Sequence, residues 1–237
     1  MEYRIGIIDD DDAKITQLLF YLDMGWEDNS GSLVKEKYKN VKLVPEEIPL
    51  EYTVDSMVEK ISSGAFDALI IDFKLSSRQN ISYSGVSLAQ AVDKKLREFP
   101  IFILTSYQDD LYNKECFDVY QVFDFERYIK ELDERIEINS KIVEQIKKYR
   151  TTLNKWKEEL AGLIALAGTN ASIDDRILEL DSLIENSIDG TSALPLHVKR
   201  ALSDSTRIQE IIDKIDSVMK EEQGNKDVKK GDPYSLI

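Results

Sequence analysis

The first half of the chain alternates between apolar runs and amphipathic segments with helical spacing. Four apolar runs predict strands: "YRIGIID" (3–9), "FDALIID" (66–72), "PIFILTS" (100–106) and "VYQVFDF" (119–125). The continuous runs at 66–72 and 100–106 predict buried strands, and 66–72 is expected to be covered on both faces. The segments of helical spacing lie at 13–24, 52–64, 85–99 and 109–117. "NVKLVPEEI" (40–48) predicts an edge strand, because Pro45 cannot donate to a central ladder. This order predicts a doubly wound α/β fold with a five-stranded parallel sheet.

The second half of the chain predicts long helices. Its apolar residues follow one another at alternating steps of four and three, a heptad seam typical of a coiled coil. The seam runs through Ile142, Ile146, Tyr149, Leu153, Trp156, Leu160, Leu163 and Ala167. Ile129, Leu132, Ile136 and Asn139 extend it upstream. We therefore expect one helix from Glu126 to about Ala167.

Two further helices are predicted beyond this seam. "TNASIDD" interrupts it, and Ser172 with Asp175 resembles a capping box that begins a helix running to about Ile188. Pro195 begins another helix, which we expect to end near Glu222. The predicted domains are an α/β domain at 1–127, an all-α coiled-coil or helical-bundle module at 128–222 and a disordered tail at 223–237.

Composition and charge exclude several classes of function. The net charge of −14 leaves no basic face for nucleic acid, whose phosphates supply most of the affinity. With one cysteine, Cys116, and one histidine, His197, an internal disulfide or a structural zinc site is not expected. No apolar run is long enough for a membrane span, and the N-terminus lacks the features of a signal peptide. We therefore expect a cytoplasmic protein.

Candidate chemistry lies at the ends of the predicted strands. Asp9–Asp12 follow the first strand, Asp72 ends a buried strand, and Thr105 with Ser106 ends the next. In open parallel sheets the carboxyl ends of the strands form the ligand site. Oxygen ligands of this kind suit Mg²⁺, which would offset the repulsion between the carboxylates. The alternative is a solvated acidic turn, with Asp11 and Asp12 simply favouring the start of a helix.

These strand ends resemble the receiver domain of two-component response regulators. The matching pieces are "IIDDDDAK", "ALIIDFKL" and "IFILTSY", in order over residues 1 to about 127. The resemblance implies that Asp72 accepts a phosphoryl group and that Asp9, Asp10 and Asp72 bind Mg²⁺. The backbone carbonyl of Lys74 would complete the metal ligands. Thr105 would be the switch hydroxyl, and the small Ser106 would leave room for phosphate.

The chain departs from this family pattern at two places. The family carries a lysine just after the fifth strand, and that position falls here on Phe125, or on Phe123 by another alignment. Arg127 is near in sequence and is a candidate for contacting phosphate, although arginine and lysine are not equivalent. The loop "KLSSRQNISYSG" after Asp72 is also longer than in the family and has no proline. Both departures bear on switching more than on metal binding.

The resemblance implies a response regulator that receives phosphate from a partner histidine kinase. It would not be an enzyme, and its output would be helical contact with a protein partner or self-association as a homodimer. Alternatives are a phosphate sink and a scaffold with an unphosphorylated pocket. A haloacid-dehalogenase-type phosphatase is a weaker alternative, because Asp9 and Asp11 have its D-x-D spacing but Asp12 and Ala13 do not continue its loop.

Overall fold

A computed structural model describes residues 1–75, 81–106, 122–189, 194–201, 211–215 and 217. The strands are β1 (Glu2–Ile8), β2 (Lys42–Glu47), β3 (Ala68–Asp72), β4 (Ile101–Thr105) and β5 (Val122–Asp124). The helices are α1 (Asp12–Met24), α2 (Val54–Ser63), α3 (Gly85–Lys95), α4 (Phe125–Lys130), α5 (Leu132–Ile164), α6 (Ala171–Asp189) and α7 (Leu196–Ala201). Cys116 and the segments predicted at 109–117 and 223–237 lie outside the described residues.

The described strands form one parallel sheet in the order β2-β1-β3-β4-β5. This is the doubly wound order in which β1 and β3 flank the point where the strand order reverses. Pro45 lies in β2 at an edge of the sheet, opposite Ile5, as expected from its missing N–H group. The predicted fold class, a receiver-like α/β sheet followed by helices, is confirmed.

Alternate residues of the strands pack into two cores, one on each face of the sheet. The first core joins Ile5, Ile7 and Ile70 to apolar residues of α1, including Leu18 and Leu22. The second joins Leu69, Ile71 and Ile103 to α2 and α3 through residues that include Met57, Leu88 and Val92. Both faces of the central strands are therefore covered, which accounts for their unbroken apolar sequences.

The first half of α5 belongs to the first core. Its residues Ile136, Ile138, Ile142, Val143 and Ile146 are buried in the same cluster as the α1 face of the sheet. The described parts of Met1–Leu153 and Asn186–Thr191 accordingly form one compact unit, and those of Asn154–Glu185 and Ser192–Ile237 form another. The first unit thus includes the first half of α5 and returns at Asn186–Thr191, whereas the sequence predicts domains at 1–127 and 128–222.

The predicted helix from Glu126 is interrupted. Glu131 has an extended backbone (φ −105°, ψ 111°) and separates α4 from α5. Beyond α5, the side chain of Asn170 accepts a hydrogen bond from the N–H of Ser172 (2.8 Å), so Asn170 occupies the position at the start of α6 where we expected Ser172. Helix α6 ends at Asp189, close to the expected Ile188.

The second unit has its own apolar cluster. Leu160, Ile177 and Leu180 are buried together, with Trp156, Leu163, Ala167, Ile173, Ile184 and Ile215 around them. Helix α7 is held by the buried Lys199, which pairs with Asp181 and, at 2.8 Å, with Glu185. His197, also on α7, is exposed. Within the part of the chain that the structure covers, every helix is too short or too polar to cross a membrane.

Candidate functional site

Three buried carboxylates meet at the carboxyl edge of the sheet. Strands β1 and β3 are neighbours, with Ile8 opposite Ile71, so Asp9 follows β1 next to the end of β3 at Asp72. Asp9, Asp10 and Asp72 are 7%, 8% and 5% exposed. One carboxylate oxygen from each lies within 4.8 Å of the others. The structure thus brings together the three acidic residues that were predicted as metal ligands.

Backbone N–H groups orient two of these carboxylates. The N–H of Asp11 donates to Oδ1 of Asp9 (2.9 Å), and the N–H of Lys74 donates to Oδ2 of Asp72 (2.9 Å). The side chain of Asp11 caps α1 by accepting from the N–H of Ala13 (2.9 Å). Asp11 therefore fixes the start of the helix and lies outside the group of three carboxylates.

Lys14, in the first turn of α1, pairs with this group. Its Nζ lies 2.8 Å from Oδ1 of Asp72 and 3.9 Å from Oδ2 of Asp9. Sequence reasoning missed this residue, because the family pattern places its lysine after the fifth strand. The available signal was positional, since a first-turn side chain of α1 starts close to the end of β1.

Burial and mutual repulsion shape the electrostatics of the group. Burial, followed by the neighbouring Asp72 carboxylate, raises the pKa of Asp9 to about 7, against the opposing effect of Lys14. Burial by itself lowers the pKa of Lys14, but the hydrogen bond to Asp72 and the nearby carboxylates outweigh it, so that the pKa of Lys14 is raised. Lys14 is therefore a cation at neutral pH.

The position expected for the family lysine holds a buried aromatic ring. Phe125, the first residue of α4, is 5% exposed and belongs to the first core. The centroid of its ring lies 5.5 Å from Nζ of Lys14. The ring and the lysine that approaches the carboxylates are thus neighbours, although they come from opposite ends of the α/β sequence.

The other predicted site residues occupy different surroundings. Thr105 is fully buried at the end of β4, one register position beyond the pairing of Asp72 with Leu104. Ser106 follows it and is partly exposed. Arg127 is directed elsewhere, because its guanidinium pairs with Glu131 (3.3 Å) and Glu134 (2.9 Å). The structure therefore does not bring Arg127 to the acidic group.

The backbone of Asp72 is closely approached by the start of α3. A Cβ atom placed on Gly85 would lie 1.8 Å from the backbone oxygen of Asp72. The N–H of Gly85 also donates to the carbonyl of Phe73 (3.2 Å). Only glycine fits this contact without displacing backbone, so Gly85 is a second residue of the site that motif reasoning did not identify.

The donor atoms of the acidic group fit a hard divalent cation. They are carboxylate oxygens at the carboxyl edge of the sheet, the ligand type that Mg²⁺ prefers. Burial and then repulsion from Asp72 raise the pKa of Asp9, and a bound cation would offset that repulsion. Burial also keeps bulk water from screening that charge. The group could therefore hold Mg²⁺.

Comparisons with known proteins give partial structural likenesses. No protein-family model and no curated protein matches the sequence. One similar solved structure is a fusion that contains the trimeric coiled coil of yeast Spc42, with 19% identity, a TM-score of 0.40, and coverage of 76% of this chain and 94% of that one. Another is the anti-anti-sigma factor PhyR from Bartonella quintana, with 12% identity and a TM-score of 0.41.

The match to PhyR covers 65% of this chain and 51% of PhyR, so the aligned part spans about half of that protein's length. With TM-scores of this size, the fold assignment rests on the strand order and register described above. The chain has a doubly wound α/β unit and a helical unit, with a buried acidic group at the carboxyl edge of the sheet.

Proposed function

We propose that the protein is a response-regulator receiver that accepts a phosphoryl group on Asp72 from a histidine kinase. The observation that carries this proposal is the convergence of buried Asp9, Asp10 and Asp72 where the strand order reverses. Asp72 ends β3 at the carboxyl edge of the sheet. It is also held in place by the N–H of Lys74 and by Lys14.

In the proposed reaction an Asp72 carboxylate oxygen attacks the phosphorus of the donor. The bond from phosphorus to the histidine nitrogen breaks, the electron pair leaves with the imidazole, and an acyl phosphate forms on Asp72. Asp9 and Asp10, with the carbonyl of Lys74, would hold Mg²⁺, which supplies charge neutralisation when bound. The Thr105 hydroxyl would donate a hydrogen bond to a phosphoryl oxygen, and Ser106 would leave space for the group.

Output would then come from contacts of the helical parts of the chain with a protein partner, or from self-association. The acyl phosphate adds charge to a buried site, and such a change can bias a neighbouring two-state element. Turnover of a substrate is not part of the proposal. Phe125 favours a second candidate, a phosphate sink, because the position from which the family lysine acts is filled by a core side chain.

The test is the intact mass of the full chain after incubation with Mg²⁺ and acetyl phosphate. Wild type should gain one phosphoryl group, and Asp72→Ala should gain none. The Thr105→Ala variant should be phosphorylated but should differ in the lifetime of the acyl phosphate. Absence of phosphorylation in wild type under conditions where Mg²⁺ binds would overturn the proposal. Phosphorylation without any change in partner binding or mass in solution would favour the phosphate sink.

A further inference from the structure

Phosphorylation would place a large negative charge in a site that already holds three carboxylates. A phosphoryl group carries up to about two negative charges and three acceptor oxygens at neutral pH. Mg²⁺ would offset part of this charge, and a fixed cation of the protein next to the acyl phosphate would offset more of it. The residues around Asp72 indicate which side chain would supply that cation.

The geometry points to α1 as the source. Nζ of Lys14 already contacts Oδ1 of Asp72 at 2.8 Å and lies 3.9 Å from Asp9. Its side chain is 19% exposed, so its charge is largely sheltered from solvent. The Asp11 cap fixes the helical turn from which Lys14 extends. Arg127, the other candidate, is engaged with Glu131 and Glu134.

Phe125 provides the second contact that holds this ammonium group. The centroid of its ring is 5.5 Å from Nζ of Lys14, within the range of a cation–π interaction. The ring is itself buried in the first core and cannot easily move away. Lys14 is thus held between a carboxylate of the acceptor residue and an aromatic face, and it needs to move little to reach a group bonded to Asp72.

We propose that Lys14, supported by Phe125, is the residue that binds and neutralises the phosphoryl group on Asp72. This inference rests on the proposed function. On phosphoryl transfer, the ammonium group exchanges its hydrogen bond with the Asp72 carboxylate for one with a phosphoryl oxygen. It keeps its proton throughout, so no bond to Lys14 forms or breaks. In the family the lysine that contacts the phosphoryl group follows the fifth strand, whereas here it would come from the first helix.

A competing role for Lys14 is that of a resident cation that merely occupies the acidic group until Mg²⁺ displaces it. The two roles predict different effects of removing the charge. In both cases the affinity for Mg²⁺ should be retained or increased, because a positive charge leaves the neighbourhood of three carboxylates. Only the proposed role also predicts weaker binding of a phosphoryl group once Mg²⁺ is saturating.

The experiment measures two affinities by titration calorimetry on the full chain. The first is the affinity for Mg²⁺ alone, and the second is the affinity for beryllofluoride, a phosphoryl mimic, at saturating Mg²⁺. The variants are Lys14→Met, which keeps the length of the side chain, and Lys14→Gln, a polar second choice in case the first does not fold. Lys14→Arg tests rescue by a different cation, and Arg127→Met is the matched control.

We expect Lys14→Met and Lys14→Gln to bind Mg²⁺ at least as tightly as wild type and beryllofluoride about 10- to 100-fold more weakly, the loss of one charge-assisted hydrogen bond. Lys14→Arg should recover part of that affinity, and Arg127→Met should match wild type. Beryllofluoride affinity within twofold of wild type in both neutral variants would overturn the role of Lys14. A wild type that binds Mg²⁺ but no beryllofluoride would overturn the proposed function, and this inference with it.

Discussion

Replacing Gly85 by alanine should damage both the stability of the protein and the acidic group. The added Cβ would lie 1.8 Å from the backbone oxygen of Asp72, well inside the 3.0 Å that real Cβ atoms keep from their neighbours. Helix α3 or the end of β3 must therefore shift by about 1 Å, and packed interiors resist such shifts. Overpacking of this kind costs about 1–3 kcal/mol or more, because the displaced atoms are backbone rather than a flexible side chain.

For a chain of this length, each kcal/mol corresponds to a melting shift of about 2–4 °C. Thermal unfolding followed by circular dichroism should therefore show the transition of Gly85→Ala lowered by about 2–12 °C. Because the displaced oxygen belongs to Asp72, the affinity for Mg²⁺ measured by calorimetry should fall as well. The two effects have one structural cause, so they should appear together.

Gly162→Ala is the matched control. Gly162 lies exposed within α5, and no atom would come within 4 Å of a Cβ atom at that position. Alanine is favoured over glycine in a helix interior by about 1 kcal/mol, so the same substitution should raise the melting temperature of that part of the chain. A Gly85→Ala variant that melts and binds Mg²⁺ like wild type would refute the close approach of α3 to Asp72.

Three further predictions concern the charge of the site and the packing of α5. The pKa of Asp9 is raised from 3.8 to about 7, so below pH 7 the binding of Mg²⁺ must displace a proton. The affinity for Mg²⁺, measured by calorimetry, should therefore rise about tenfold from pH 6 to pH 8. A flat pH profile, or an Asp9→Asn variant whose affinity changes equally with pH, would contradict this. Asn139→Ala should lower the free energy of urea unfolding by about 1–3 kcal/mol, because Asn139 donates a hydrogen bond to the carbonyl of Gly25 and accepts one from the hydroxyl of Tyr128. Replacement of the exposed Asn154 by alanine is the control, and equal effects of the two variants would count against the buried network. Ile146→Ala should lower the free energy of unfolding by about 2–5 kcal/mol. This loss should not depend on protein concentration, because Ile146 is buried within its own unit. Loss of a dimer in light scattering without loss of stability would indicate instead that the seam lies between two chains.

The sheet and its acidic group could be predicted because the signals for both are local. Buried parallel strands are continuously apolar, and the residues that end them must meet at one edge. Asp9, Asp10 and Asp72 therefore follow from the positions of two strands alone. Lys14 does not, because its approach to Asp72 depends on where α1 starts and on the ring of Phe125, which comes from the far end of the α/β sequence.

The heptad seam does not show where the chain passes from one unit to the other, and the reason is physical. Steps of three and four describe any helix with one buried face, whether it covers a sheet or another helix. Ile142 and Ile146 lie against the sheet core, while Leu160 and Leu163 lie in the separate helical cluster, and the spacing alone does not distinguish them. Asn139 is a polar residue on the seam, and in the structure it marks the half of the helix that is tied to Gly25.

The segment between α1 and β2 adds further contacts to the first half of α5. Trp26 stacks on Tyr38 with centroids 4.6 Å apart and donates through Nε1 to Ser140 (3.2 Å), while the Tyr38 hydroxyl donates to Glu144 (3.0 Å). The two hydrogen bonds join residues more than a hundred positions apart, so the segment after α1 and the first half of α5 depend on each other for their packing.

This arrangement limits how such a protein can be recombined during evolution. A crossover just after residue 127 would separate Trp26 and Tyr38 from the helix they contact and would uncover the face of the sheet that Ile142 and Ile146 protect. A different helical segment could be joined with these contacts intact only beyond Leu153, where the first unit's share of α5 ends, and it would also have to replace Asn186–Thr191, which belongs to the first unit. The segment 25–41 and the first half of α5 should therefore be inherited together.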